Sequence, residues 1–197
     1  GGKLVGSDQW VRDEADFCSG TEPVVGSLSR LMAGGKGVLI LSGHLGCWEL
    51  SGGALAHLWQ ERFATPLDLS VVTGTVHNPA VNRLVSDRRT QFGVKILPRQ
   101  EGLRPLLAAL DRGGVVAVLL DQNAGVQNLP FPFFGHPAPT ASGFARIALK
   151  RGLPVLPVVM ARRDQGHIIR HLPALDARDY LGPAGESGQQ QQVNFLS

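Results

Sequence analysis

Val38-Leu39-Ile40-Leu41-Ser42-Gly43-His44-Leu45-Gly46-Cys47-Trp48-Glu49 is the stretch on which the fold turns. Its first four residues are apolar without alternation, the pattern of a strand buried on both faces, as in a parallel sheet. Glycines then bracket a histidine where that strand should end, and a helix is expected over residues 47–61. Upstream, Val25, Leu28, Leu31 and Met32 are spaced for one face of a helix over residues 22–33, stopped by Gly34-Gly35-Lys36-Gly37. Downstream the same order recurs: strand 67–72, helix 79–92 with Pro79 in its first turn, short strand 94–97, and helix 103–112 closed by Gly113-Gly114. An apolar strand 115–120 follows, then a loop 121–139 with three closely spaced phenylalanines, helix 141–151 ended by Gly152, strand 155–160 and a last strand at 167–171. Alternating helices and buried strands predict an α/β fold, with a mostly parallel central sheet and helices on both faces. The ligand site of such a sheet lies beyond the carboxyl ends of its strands.

Composition sets bounds on this reading. The 197 residues are 43% hydrophobic and 18% charged, a globular balance that fits one domain over residues 1–197. A net charge of +3 is too weak to argue nucleic-acid binding, and none is expected. Cys18 and Cys47 are too few for a disulfide framework. No uninterrupted apolar run is long enough for a membrane-spanning helix, and no signal peptide is visible. Residues 1–20 are weakly patterned; Gln189–Gln192 is a polar run, and Val193-Asn194-Phe195-Leu196 reads as the start of a further segment. The G-x-S-x-G elbow, the P-loop, G-x-G-x-x-G and H-E-x-x-H are all missing, and His44 with Cys47 lacks companions at zinc spacing.

Four pieces could carry chemistry. His44 and Glu49 are five residues apart, an offset of about 140° on a continuous helix. They converge only if His44 lies in the loop and Glu49 in the first helical turn, which Gly43 and Gly46 permit. A carboxylate beside an imidazole fixes its tautomer and makes it a general base for a hydroxyl; the plain alternative is a helix cap with a Glu on the helix dipole. Asp121-Gln122-Asn123 follows the apolar strand directly, as a site or as a turn. Phe131, Phe133 and Phe134 either pack under their loop or line a cleft for an acyl chain, and Thr140 is placed to cap the next helix. Arg83, Arg88 and Arg89, with Lys95, Arg99, Arg104 and Arg112, form either a solvated surface or an attractor of phosphate groups or an acidic carrier protein.

Taken in order, these residues resemble the lipid A biosynthesis acyltransferases of the lauroyl/myristoyl type, within the lysophospholipid-acyltransferase-like superfamily. The carriers are Gly43-His44 through Trp48-Glu49 (an H-x-x-x-x-E motif), Asn78-Pro79 with Arg89, Gly93, Leu97-Pro98, Gly102 to Leu110 with Gly113-Gly114, Asp121-Gln122 with Gly125, Pro132-Phe133-Phe134-Gly135 with Ala138 and Thr140, and Gly152 with Pro154 to Pro157. Phosphatidylinositol mannoside acyltransferases look similar over the same stretch, about residues 30–163. The resemblance implies acyl transfer from acyl carrier protein or acyl-CoA to a hydroxyl of a membrane glycolipid of the lipid A precursor type, as in lipopolysaccharide biosynthesis. It implies His44 as base and Glu49 as its partner, with Asn78, Arg89, Asp121, Gln122, Phe133, Phe134 and Thr140 on the substrate side. It implies no cofactor or metal, a membrane surface as partner, and a peripheral position on the cytoplasmic face of the bacterial inner membrane. The family's N-terminal anchor helix and C-terminal end are not seen in this chain, Cys47 stands where the family commonly has Asn, and a basic residue often found before Asn-Pro is absent from Gly74-Thr75-Val76-His77. Two other expectations use the same residues: a non-catalytic domain binding lipid or acyl carrier, and thioester hydrolysis with water as acceptor.

Overall fold

The computed structural model describes residues 11–13, 23–74, 76–123, 125, 128–163 and 166–180. Cys18 and residues 189–196 lie outside the described residues. The elements run β1 (Val11–Asp13), α1 (Val24–Met32), β2 (Val38–Ser42), α2 (Trp48–Phe63), β3 (Leu69–Thr73), α3 (Pro79–Thr90), β4 (Lys95–Pro98), α4 (Arg104–Asp111) and β5 (Val115–Leu119). They continue with β6 (Leu129–Phe133), β7 (His136–Thr140), α5 (Gly143–Arg151), β8 (Pro154–Arg163), β9 (Gly166–His171) and β10 (Leu175–Asp176).

The central sheet has the order β1-β9-β8-β2-β5-β3-β4, with β10 on β8. β2 is parallel to both β5 and β8, β3 to both β4 and β5, and β1 to β9, while β9 and β10 run antiparallel to β8. The fold is therefore α/β with a mostly parallel sheet. Its strands alternate between two cores, because successive side chains point to opposite faces. Val38 and Ile40 of β2, Val115 of β5 and Leu156 and Val158 of β8 join Leu28 of α1 and Leu55 and Trp59 of α2. Leu39, Val116, Val118 and Val155 join Leu106 and Leu110 of α4 and Phe144 and Ala148 of α5. Strands buried on both faces need no polar positions, which is why their sequences carry no alternation.

Two segments differ from the sequence expectation. Val11–Asp13, in the unpatterned start, pairs with β9. The loop expected over 121–139 contains a separate two-stranded antiparallel hairpin, β6–β7. Its prolines hid it, since proline is expelled from central strands. Here Pro130 stands opposite Pro139 and Pro132 opposite Pro137. Two residues apart on each strand, these pairs share one hydrogen-bonding class, and since proline donates nothing that class must be the non-hydrogen-bonded one.

Candidate active site

Strand register builds the site. β2 and β5 are parallel neighbours, with Ser42 paired to Leu119. Two residues beyond that last pair stand His44, after one strand, and Asp121, after the other. The Asp121 carboxylate takes both donors that His44 offers it: the backbone N–H at 2.6 Å on Oδ2 and ring Nδ1 at 2.7 Å from Oδ1. A Cβ at Gly43 would stand 3.1 Å from Asp121 Oδ2, so the glycine is what lets the carboxylate in. The turn into α2 has a second requirement. Gly46 has φ +59°, and a Cβ there would lie 2.1 Å from the Met160 carbonyl oxygen of β8.

Partial burial pushes the Asp121 carboxyl up, but hydrogen bonds from the His44 ring and backbone outweigh it and hold it below its ordinary value. An ionised carboxylate only accepts, so Nδ1 of a neutral His44 is the donor and the free lone pair is on Nε2. That is the tautomer of a general base. Gln122 Nε2 lies 3.5 Å from His44 Nε2, and both residues line a cavity.

The carboxylate holding His44 is thus Asp121, and not Glu49 as the H-x-x-x-x-E spacing led us to expect. Glu49, in the first turn of α2, is turned to Arg89 near the end of α3, which grips it with Nε and Nη2 at 2.9 and 2.7 Å. This is the paired geometry that favours arginine for carboxylates. Trp48 stands between the two pairs, its ring 4.5 Å from the His44 ring and 5.9 Å from the Arg89 guanidinium carbon. Cys47, the N-cap of α2, gives the helix no side-chain cap. The first-turn amides of α2 therefore get no bond from that side chain. The Cys47 sulfur instead meets His167 Nε2 at 2.8 Å and Arg162 Nη2 at 3.8 Å.

The cavity measures about 930 Å³, near the upper end of the roughly 300–1,000 Å³ usual for ligand pockets. His44, Trp48, Glu49, Arg89 and Gln122 line it, and its remaining wall is mostly apolar, from Leu55 and Ile169 of one core to Leu106 and Phe144 of the other. Gly52 and Gly53 of α2, Phe92 and Val94 form one side. Sequence reasoning missed this wall. Two consecutive glycines inside a helix, each costing about 1 kcal/mol against alanine, were the available signal.

The other expected residues stand outside the cavity lining. Asn78 caps α3, accepting from the Ala80 and Val81 amides at 3.0 and 3.3 Å, and stands outside the cavity lining. Thr140 donates to the Ala138 carbonyl at 3.0 Å and is likewise outside. Phe133 and Phe134 form the exposed hairpin tip, and with Phe131 they stay outside the lining, because pairing of β6 with β7 carries them away from it. Among the described residues no group of histidine, cysteine and carboxylate side chains could hold a metal ion.

The family model described as bacterial lipid A biosynthesis acyltransferase matches residues 25–180. Among curated proteins, the phosphatidylinositol mannoside acyltransferases of two Mycobacterium tuberculosis strains, CDC 1551 / Oshkosh and ATCC 25618 / H37Rv, are each similar at 26% identity over 161 residues. The matched stretch is 78% of this chain and 48% of each relative, so the chain spans about half the length of the curated relatives it matches. The matched region runs from α1 through the last described residue and takes in the His44–Asp121 pair, the Glu49–Arg89 pair and the whole cavity lining, and the chain belongs to the bacterial lipid A biosynthesis acyltransferase family.

Proposed function

We propose that the protein transfers a fatty acyl group from acyl carrier protein or acyl-CoA to a hydroxyl of a membrane glycolipid. The observation that carries this reading is the His44–Asp121 pair at a large apolar cavity. The acyl chain lies in the cavity with its thioester carbonyl near His44 Nε2. As the acceptor oxygen attacks that carbonyl, its proton passes to Nε2, and Asp121 stabilises the imidazolium that forms. The tetrahedral intermediate then expels the donor thiolate, which takes the proton back from Nε2. Positioned base catalysis of this kind contributes on the order of 10²–10⁴-fold. The Trp48 and Glu49 amides, at the positive end of the α2 dipole, and the Gln122 side-chain amide beside His44 Nε2 supply donors for the oxyanion. Glu49 and Arg89 hold α2 to α3 beside Trp48 and keep the cavity's polar edge in shape.

Similarity to the mycobacterial relatives favours a phosphatidylinositol mannoside as acceptor, and family membership favours a lipid A precursor. Either reaction joins a soluble thioester to a membrane lipid. We therefore assign the chain a peripheral position on the cytoplasmic face of the bacterial inner membrane. No helix among the described residues is long and apolar enough to cross a membrane.

The test supplies labelled acyl-carrier-protein and acyl-CoA thioesters together with each acceptor and follows the label. Label in a glycolipid ester is the expected result. Label released only as free acid shows hydrolysis, and label that stays on the donor while the chain is bound shows a non-catalytic binding domain. Either of these results overturns the proposal.

A further inference from the structure

The β6–β7 hairpin presents a bare aromatic tip. Phe134 is 89% exposed, and Phe133 packs on it edge to face at 4.7 Å. Phe134 and Gly135 are the two central residues of the turn, with φ of 48° and 78°, the backbone of a type I′ turn. Such turns take Asn, Asp or Gly at the first position; a phenylalanine there bears left-handed strain and hydrates its whole ring. A peptide strand is a poor occupant, because prolines at non-hydrogen-bonded pairs remove donors from both outward edges. Ala141, directly after β7, lines the cavity wall, as does Gln122 farther upstream of the hairpin.

A second part of the cavity edge is built by α3 and the start of α4. Val76, Leu84 and Leu103 line the cavity and are nevertheless exposed, Leu84 by 58%. Val81 lies one turn before Leu84 and is exposed too, and α3 has no buried residue. Between these apolar side chains stand Arg83, Arg88, Arg99 and Arg104, which form no ion pair among the described residues. Residues 79–104 carry six cationic side chains against two acidic ones, so the positive excess of the whole chain resides here. No carboxylate side chain occurs between Asp121 and Asp164, the span that includes the hairpin.

We propose that the α3–α4 edge and the hairpin tip together form the surface by which the protein seats on an anionic lipid bilayer, with the cavity mouth against the lipid. The proposal rests on the glycolipid reading above, since a lipid acceptor gives that mouth a reason to meet a bilayer. Arginines interspersed with exposed leucine, valine and phenylalanine suit a surface that is anionic at its headgroups and apolar beneath them. An acidic carrier protein would satisfy the arginines and leave the aromatic tip hydrated.

Sedimentation of the whole chain, without acyl donor, tests this with vesicles of phosphatidylcholine alone and of equal parts phosphatidylcholine and phosphatidylglycerol. Binding is expected to be stronger on the anionic vesicles and to fall with added salt. Phe134→Ser should weaken partition roughly tenfold on either vesicle. Arg83→Glu should weaken it roughly fivefold or more on the anionic vesicles only. Both positions are exposed, and the thermal midpoint of each variant reports that it is folded. Failure to sediment, or sedimentation indifferent to both substitutions, overturns the surface. So does binding of acyl carrier protein that both substitutions abolish in a chain that ignores vesicles. A chain that sediments but transfers nothing overturns the proposed reaction and leaves the surface standing; one that transfers to a micellar acceptor but never sediments does the reverse.

Discussion

In the proposed reaction His44 owes its capacity as a base to the residue behind it. With Nδ1 committed to Asp121, the lone pair of the ring is on Nε2, toward Gln122. Asp121→Asn puts a donor and an acceptor where two acceptor oxygens were, so the ring loses its enforced tautomer. We expect kcat to fall on the order of 10³–10⁴-fold with KM little changed, by analogy with the loss of the orienting carboxylate in a catalytic triad. Glu49→Gln should cost less, because Glu49 meets Arg89 and does not touch the imidazole. Steady-state kinetics of the two variants side by side would show the order, and a larger loss for Glu49→Gln would return Glu49 to the role its spacing suggested. Asp121 also leaves a signature in stability. Its carboxyl is held below its ordinary value, so the stabilisation it gives is present above the unfolded carboxyl's range and is lost as pH falls through the lowered folded value. Thermal midpoints of the parent and Asp121→Asn should therefore differ at neutral pH and converge in strong acid. At this scale the sequence showed His44, bracketed by glycines after a buried strand, and it marked Asp121 as polar at a strand end. It did not show that the two meet, because that depends on β2 and β5 being neighbours with Ser42 opposite Leu119. Strand order is not written in any local pattern.

The helices and central strands were legible because each buries a face whose periodicity survives in the sequence. The hairpin was not, since Pro130, Pro132, Pro137 and Pro139 erase the usual strand signal, and Phe133 and Phe134, expected either under their loop or in a cleft wall, are held out by the turn between β6 and β7. α2 shows what a local rule costs when a cavity needs the space. A Cβ at Gly52 would meet Val94 and Val71 at 3.5 to 3.7 Å, ordinary contact, and would occupy the cavity wall. Gly52→Ala should therefore raise stability by about 0.5–1 kcal/mol in denaturant unfolding. The same variant should shift the preferred acyl donor toward shorter chains in competition among a chain-length series. A stabilised variant with the parental chain-length profile would detach Gly52 from the proposed acyl site. Gly46→Ala is the opposite case. Its φ and the Met160 carbonyl leave no space for a methyl, and we expect a loss of at least about 2 kcal/mol with the His44 turn displaced.

On the scale of the whole molecule, the parallel strands β2 and β5 place the His44 and Asp121 loops at one end of the sheet, and residues of both apolar cores line a cavity of about 930 Å³. This coincidence of a carboxylate-held histidine with an apolar chamber is what the proposed acyl transfer asks for, and it was legible in the sequence only as an order of motifs. The cavity itself depends on where α2, α3 and α4 pack, and so on three-dimensional placement. The most direct test is a single turnover of labelled acyl donor with glycolipid acceptor, run with the parent chain and with His44→Gln at matched folded concentration. The account predicts label in the acceptor lipid with the parent and a loss on the order of 10²–10⁴-fold in that rate with His44→Gln. Transfer at the parental rate by a folded His44→Gln protein would contradict it.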